Sequence, residues 1–205
     1  MLEGKRVNLK IAEKEDLPFF TDWCNNPEFF GEYVWLPQQS KMEREKWYDN
    51  LPTDAKFFFI QKKDDTRVGT IAHFLTRGEN IFEIGYFLLS NEREKGYCSE
   101  AVMIMVDYLF LSRNIVRIQA LTNVGNKASQ RVLEKAGFQK EGTVRKAFFV
   151  RGVWTDNYLH SILREEWKEP KILRSTTHSF IRSSWTSETT NTPSESPMPL
   201  KKISN

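Results

Sequence analysis

The sequence predicts an α+β protein, a mixed α/β arrangement in which helices flank a central, mostly antiparallel sheet. Strand-like and helix-like segments alternate along the chain without the regular repeat of a βαβ fold. Three consecutive strand-like segments, 56–62, 67–76 and 80–89, are separated by short breaks of turn residues, which is typical of an antiparallel meander. The segment 99–111 is apolar on nearly every side, and its length favours a helix buried against that sheet.

The other elements follow from the spacing of apolar residues, which alternate in strands and recur every three or four positions in helices. The patterns predict, in order, a strand at Val7–Ile11, helices at 13–24 and 41–51, a strand at 115–121, a helix at 126–136 and two strands within 138–163. Arg151 and Gly152 supply the turn between the last two strands.

The length of 205 residues predicts one domain, or one domain with a tail. We place the domain at 1–170 and a Ser/Thr-rich tail at 171–205. Serine and threonine occupy 13 of the 22 positions in 175–196. Such a composition buries too little apolar surface to offset the entropy of ordering, so we expect the tail to be disordered.

The formal net charge of +3 comes from the tail, which carries five basic and two acidic residues. The remaining body is neutral with interleaved signs, and this argues against a nucleic-acid partner. No stretch approaches the 18 or so apolar residues of a membrane helix, so no membrane partner is expected. The charged N-terminal segment 1–16 is unlike a signal peptide, which predicts a cytoplasmic location. Cys24 and Cys98 stand alone, so we expect reduced thiols and no metal site.

The segment 92–101 lies between a predicted strand and the predicted long helix. Backbone N–H groups at a helix N-terminus lack intrahelical acceptors, and with the helix dipole they favour an anion such as phosphate. Gly96 would let the backbone approach such a ligand closely. One glycine before a helix usually marks only a turn, so this segment alone leaves both interpretations open.

The segment 126–138 predicts a capped amphipathic helix that runs into a strand. Asn126 is placed as the N-cap and Gly137 as the C-cap. Capping does not account for Ser129 in the first turn. It also gives no reason for this segment to follow the segment 92–101 by one strand.

Together these segments resemble the GNAT N-acetyltransferase superfamily, and within it the RimJ/RimL-like branch, of the ribosomal-protein-alanine N-acetyltransferase type, which acetylates protein N-termini. The resemblance covers about residues 3–165. Four blocks match in order: 6–17, 83–86, 93–101 and 126–138. The resemblance implies a sheet that splays between the fourth and fifth predicted strands, with acetyl-CoA as co-substrate filling the gap.

The resemblance also implies which residues bind the cofactor. The loop Glu94 to Ser99 would bind the pyrophosphate through backbone N–H groups, and the end of the preceding strand would pair with the pantetheine amides. The implied cofactor-binding residues are Phe87, Leu88, Leu89, Arg93, Glu94, Lys95, Gly96, Tyr97, Cys98, Ser99, Asn126 and Ser129. Cys98 departs from the family's preference for Gly or Ala at its position.

Two residues are the candidate catalytic groups. Glu83 resembles the acidic residue that deprotonates the amine, directly or through water, and Ser129 would protonate the leaving thiolate. A surface glutamate and a helix-turn serine are the structural alternatives. Cys98 as an acyl-accepting nucleophile would need a base that its sequence neighbourhood lacks. We expect His73 to be a packed or pocket-lining residue and not a base. Tyr86 and Tyr97 are candidate acids, for which packing is the favoured interpretation.

The expected function is transfer of an acetyl group to a primary amine, with a protein N-terminal α-amine as the favoured acceptor. A small amine (a polyamine, an amino sugar or an antibiotic) and a non-catalytic acyl-CoA-binding module are the alternatives. The acceptor side would be formed by 26–39 and 150–157, which combine aromatic and acidic residues. A homodimer is expected by analogy only. The missing GxGxxG and GxxxxGK[ST] motifs disfavour a Rossmann dehydrogenase and a P-loop NTPase.

Overall fold

The structure is a computed structural model, and it describes residues 1–34, 38–76, 80–168 and 170. The predicted tail 171–205, residues 77–79 of a predicted turn and residues 35–37 of the predicted acceptor side lie outside these ranges. The side chains of Glu28 and Phe30 are likewise not described.

Within the described residues, eight strands form one sheet in the order β1-β2-β3-β4-β5-β6-β8-β7. Every neighbouring pair is antiparallel except β5 and β6, which are parallel. The strands are β1 (Leu2–Glu3), β2 (Val7–Ile11), β3 (Lys56–Lys62), β4 (Arg67–Leu75), β5 (Ile81–Leu88), β6 (Arg117–Asn123), β7 (Gln139–Val150) and β8 (Val153–Leu163). The predicted mixed, mostly antiparallel sheet is therefore confirmed.

The helices flank this sheet on both faces. They are α1 (Leu17–Asn25), α2 (Pro27–Phe30), α3 (Lys41–Asp49), α4 (Tyr97–Ser112) and α5 (Lys127–Ala136). On one face, α4 and α5 bury a large core with strand residues such as Leu9, Ile71 and Ile118. On the other face, α1 packs a smaller aromatic cluster around Phe20 and Phe59. No helix in the described ranges is long and apolar enough to cross a membrane.

The chain turns sharply between β7 and β8. Arg151 has φ 49° and Gly152 has φ 89°, and a two-residue hairpin turn with both φ values positive is of the type that matches the twist of antiparallel strands. The break predicted at these two residues is confirmed.

Candidate active site

A gap opens in the sheet between β5 and β6. The two strands pair over three residues only, and the last pair is Glu83 with Gln119. Beyond it, β5 continues to Leu88 while pairing with β4, and β6 continues to Asn123 while pairing with β8. In the described part of the chain, no strand covers the β5 edge past Glu83. The predicted splay is confirmed. It lies between β5 and β6, because the structure adds the short strand β1 before the predicted strands.

The N-terminus of α4 follows the open end of β5. Gly96 is the N-cap, with φ 82°, and no side chain within the described ranges caps this end. The first N–H groups of the helix therefore point outward without a helical acceptor. The structure corrects one expectation, because Tyr97, Cys98 and Ser99 form the first turn of the helix and are not part of the loop. The apolar pattern predicted the helix only from residue 99, since the continuous apolar run begins at Ala101.

The N-terminal segment of the chain braces this loop. The Nη1 of Arg6 donates to the carbonyl oxygen of Lys95 at 3.1 Å, and the backbone N–H of Arg6 donates to Glu100 Oε1 at 2.7 Å. A Cβ on Gly96 would lie 3.0 Å from Arg6 Nη1. The αL backbone and this close approach together explain glycine at position 96.

The cationic groups of Arg93 and Lys95 are bonded to other groups of the protein. Arg93 donates from Nε to the carbonyl oxygen of Leu88 at 3.4 Å and from Nη2 to that of Phe29 at 3.5 Å. Arg93 thus ties the loop to the end of β5 and to α2. Lys95 Nζ lies 3.0 Å from Glu92 Oε2. Glu94, between them, is exposed and has φ 64°, a conformation that non-glycine residues adopt rarely.

The remaining predicted cofactor residues lie at the end of β5. Leu88 is buried in the core, and the ring of Phe87 packs at 4.8 Å from that of Phe29 on the opposite face. Leu89 follows the strand, and its N–H donates to the carbonyl oxygen of Val68 at 2.9 Å. All three residues lie past the last β5–β6 pair, at the gap.

Ser129 lies on the α4–α5 side of the gap. Its backbone N–H donates to Asn126 Oδ1 at 3.0 Å, so the predicted N-cap is confirmed and the Asn126 oxygen is committed to the helix. The Ser129 hydroxyl lies 2.9 Å from the phenol oxygen of Tyr86. Burial raises the pKa of Tyr86, so the phenol stays protonated at neutral pH. Tyr86, which the sequence reasoning treated as packing, is therefore a polar partner of Ser129.

Glu83 lies at the closed end of the gap and is half-buried. Gln119 Nε2 donates to Glu83 Oε2 at 2.9 Å. Side chains alternate between the two faces of a strand, so Glu83 and Tyr86 leave β5 on opposite faces. The structure therefore places Glu83 and Ser129 on opposite sides of the gap, and no described hydrogen bond joins them.

Two other candidates have little reactivity. Burial raises the pKa of the Cys98 thiol to about 12, so the thiolate needed for nucleophilic attack is scarce at neutral pH. His73 is fully buried with its ring 5.3 Å from that of Phe82, and burial lowers its pKa to about 4. Cys24 and Cys98 are free thiols. No group of three or more metal-ligating side chains occurs in the ranges that the structure describes.

Comparisons with known proteins agree with this geometry. The family model described as "Acetyltransferase (GNAT) domain" matches residues 6–139. The chain is 34% identical over 183 residues to a probable N-acetyltransferase, YjcK, of Bacillus subtilis, covering 81% of this chain and 98% of that protein. It is 28% identical over 116 residues to the [ribosomal protein uS5]-alanine N-acetyltransferase of Escherichia coli, covering 55% and 60% of the two chains.

A solved structure bears on the fold alone. The crystal structure of spermidine N-acetyltransferase from Vibrio cholerae in complex with CoA and spermine superposes with a TM-score of 0.72 at 21% identity, covering 80% of this chain and 99% of that one. The gap in the sheet agrees with the family match over residues 6–139 and with the relative that covers 81% of the chain, and the chain belongs to the GNAT family of N-acetyltransferases.

Proposed function

We propose that the protein transfers the acetyl group of acetyl-CoA to a primary amine by direct attack in a ternary complex, and that the acceptor is a protein N-terminal α-amine. The observation that carries the proposal is the gap that opens after Glu83 and Gln119, beside the uncapped N-terminus of α4 at Gly96. A ligand that fits both features combines an anionic group with an extended chain bearing amides.

Acetyl-CoA, which the family uses, has these two parts. Its pyrophosphate fits the free N–H groups and the positive dipole end at the start of α4. Its pantetheine arm carries amides that can pair with the open edge of β5 as an added strand would. A Cβ on Gly85 would meet nothing within 4 Å, so the backbone is accessible at that point of the strand.

The chemistry requires a base, donors for the oxyanion and an acid for the leaving thiolate. Glu83 accepts the proton of the amine, directly or through a water molecule. Attack of the amine nitrogen on the thioester carbonyl forms a C–N bond, and the C–S bond then breaks. The thiolate takes a proton from the Ser129 hydroxyl, whose oxygen lies 2.9 Å from the phenol oxygen of Tyr86. Solvent returns the proton that Ser129 has given up, and Glu83 releases the proton of the amine to solvent.

The acceptor is proposed on the strength of the relative named as a ribosomal-protein alanine N-acetyltransferase. The acceptor side would lie between the α2 region and the β7–β8 turn, where Arg151 Nη2 donates to the carbonyl oxygen of Gly31 at 2.9 Å. A small-molecule amine is the second candidate, since a protein of the same fold acts on spermidine. A cytoplasmic location belongs to the same proposal.

The experiment compares acceptors directly. The protein is incubated with acetyl-CoA and a peptide that begins with alanine, with spermidine or with kanamycin, and released CoA and acetylated product are quantified. We expect acetylation of the peptide at its α-amine, and none when that amine is blocked. Turnover of spermidine or kanamycin alone would replace the proposed acceptor by a small amine. Binding of acetyl-CoA with no transfer to any acceptor would favour the non-catalytic module.

A further inference from the structure

A chain of hydrogen bonds leads from Glu83 across three further strands. Gln119 Nε2 donates to Glu83 Oε2 at 2.9 Å, and Arg117 Nε donates to Gln119 Oε1 at 3.3 Å. Arg117 also donates from Nη1 and Nη2 to the two oxygens of Glu141, each at 2.5 Å. Ser161 donates to Glu141 Oε1 at 2.5 Å. The five side chains extend over β5, β6, β7 and β8.

The direction of these bonds is determined by the chemistry of the groups. A guanidinium can only donate, so the oxygen of the Gln119 amide must face Arg117. The NH₂ group of the same amide must then face Glu83. Since Arg117 excludes the flipped amide, Gln119 presents a donor, never an acceptor, to the Glu83 carboxylate.

The end of this hydrogen-bond series farthest from Glu83 is held by the ion pair between Arg117 and Glu141. Arg117 and Ser161 hold the pKa of the Glu141 carboxyl down at about 2, with the Arg117 bond as the largest cause. Glu141 therefore stays ionised throughout the pH range of enzyme assays. A bidentate pair restrains the guanidinium plane as well as its position, so the Nε of Arg117 stays directed at Gln119.

We propose that Gln119, oriented by Arg117, is a positioning residue that holds one oxygen of the Glu83 carboxylate and directs its second oxygen toward the amine. This inference rests on the proposed role of Glu83 as base. Gln119 holds Oε2, and no hydrogen bond in the described part of the chain uses Oε1. Apart from Glu83 itself, the charged side chains in this series of hydrogen bonds are Arg117 and Glu141. The partner of Glu83 on β4 is the uncharged Phe74, and α4 and α5 pack on the opposite face.

The test asks whether Gln119 acts through Glu83, using steady-state kinetics of the full chain with acetyl-CoA and the alanine peptide. In Gln119→Leu, which removes the donor, kcat should fall about tenfold while the KM for acetyl-CoA stays unchanged. In a Glu83→Gln background the same change should have no further effect, because a positioning residue acts through the group that it holds. Gln119→Glu, which keeps the side-chain size but presents a carboxylate to Glu83, should lower kcat at least as much.

Gln139→Leu is the matched control, because this exposed glutamine on β7 donates to Glu166 and not to Glu83. Its kcat should equal that of the wild type. An unchanged kcat in Gln119→Leu and Gln119→Glu would overturn the proposal. An equal loss of kcat from Gln119→Leu in the wild-type and Glu83→Gln backgrounds would overturn it as well.

The two proposals fail in different ways. If the wild type acetylates spermidine or kanamycin and not the peptide, the acceptor proposal fails, and the same variants tested with that amine decide the role of Gln119. If the wild type acetylates the peptide and Glu83→Gln does so at the same rate, Glu83 is not the base and the positioning role is overturned.

Discussion

The Ser129 hydroxyl is held by a phenol that burial keeps protonated. A serine in the first turn of a helix often bonds only to backbone groups. Here the backbone N–H of Ser129 donates to the N-cap side chain of Asn126, while the hydroxyl contacts the phenol of Tyr86. The two polar groups of one residue thus have separate tasks, and the hydroxyl is the one suited to proton transfer.

Ser129→Ala should lower kcat by about 100-fold, the low end of the range for general acid–base groups. The affinity for acetyl-CoA should change less than kcat, because most of the proposed binding groups are backbone N–H donors elsewhere in the chain. Steady-state kinetics with titration calorimetry separates the two effects. Ser112→Ala, at the far end of α4, is the control. A variant with a normal kcat and weak acetyl-CoA binding would make Ser129 a binding residue.

At this scale, sequence reasoning found the residues that act through neighbours close in the chain. The caps Asn126 and Gly137 were predicted because a cap bonds within a few residues of itself. Tyr86 and Gln119 were missed as partners, since Ser129 lies 43 residues from Tyr86 and Gln119 lies 36 residues from Glu83. Such pairs are determined by the order of strands in the sheet, which apolar periodicity does not contain.

At the scale of elements, the long periodic segments were predicted well and the short ones were not. The strands Val7–Ile11 and Lys56–Lys62 have the predicted bounds. The two-residue β1 and the four-residue α2 went unpredicted, because a periodic pattern needs more residues than these elements have. The splay between β5 and β6 was predicted from the family resemblance alone, and their parallel pairing was not predicted.

The turn into α4 depends on one backbone conformation. Gly96→Ala places a Cβ in the αL region, which costs roughly 1–2 kcal/mol, and brings it to 3.0 Å from Arg6 Nη1. We expect a lower melting temperature and a several-fold weaker affinity for acetyl-CoA, measured by calorimetry.

Gly142→Ala is the matched control, since a Cβ there meets nothing within 4 Å and no positive φ is needed. Both variants lose one glycine, so their difference isolates the geometry of the loop. Unchanged acetyl-CoA affinity in Gly96→Ala would show that the α4 N-terminus is not the anion site.

At the scale of the whole molecule, two cores on opposite faces hold the sheet while a gap opens within it. The larger core lies under α4 and α5, and the smaller aromatic one lies under α1. Packing on both faces supports β5 and β6 even where they no longer pair with each other. The homodimer and the disordered tail 171–205 stay predictions, to be measured by light scattering and by limited proteolysis.

The central claim, that this gap and the start of α4 bind acetyl-CoA, is tested most directly by thermal unfolding of the full chain with and without acetyl-CoA, with NADH as the control nucleotide. Acetyl-CoA at 100 times its Kd should stabilise the protein by about 2.7 kcal/mol, and NADH should not. An unchanged melting temperature at millimolar acetyl-CoA would contradict the account.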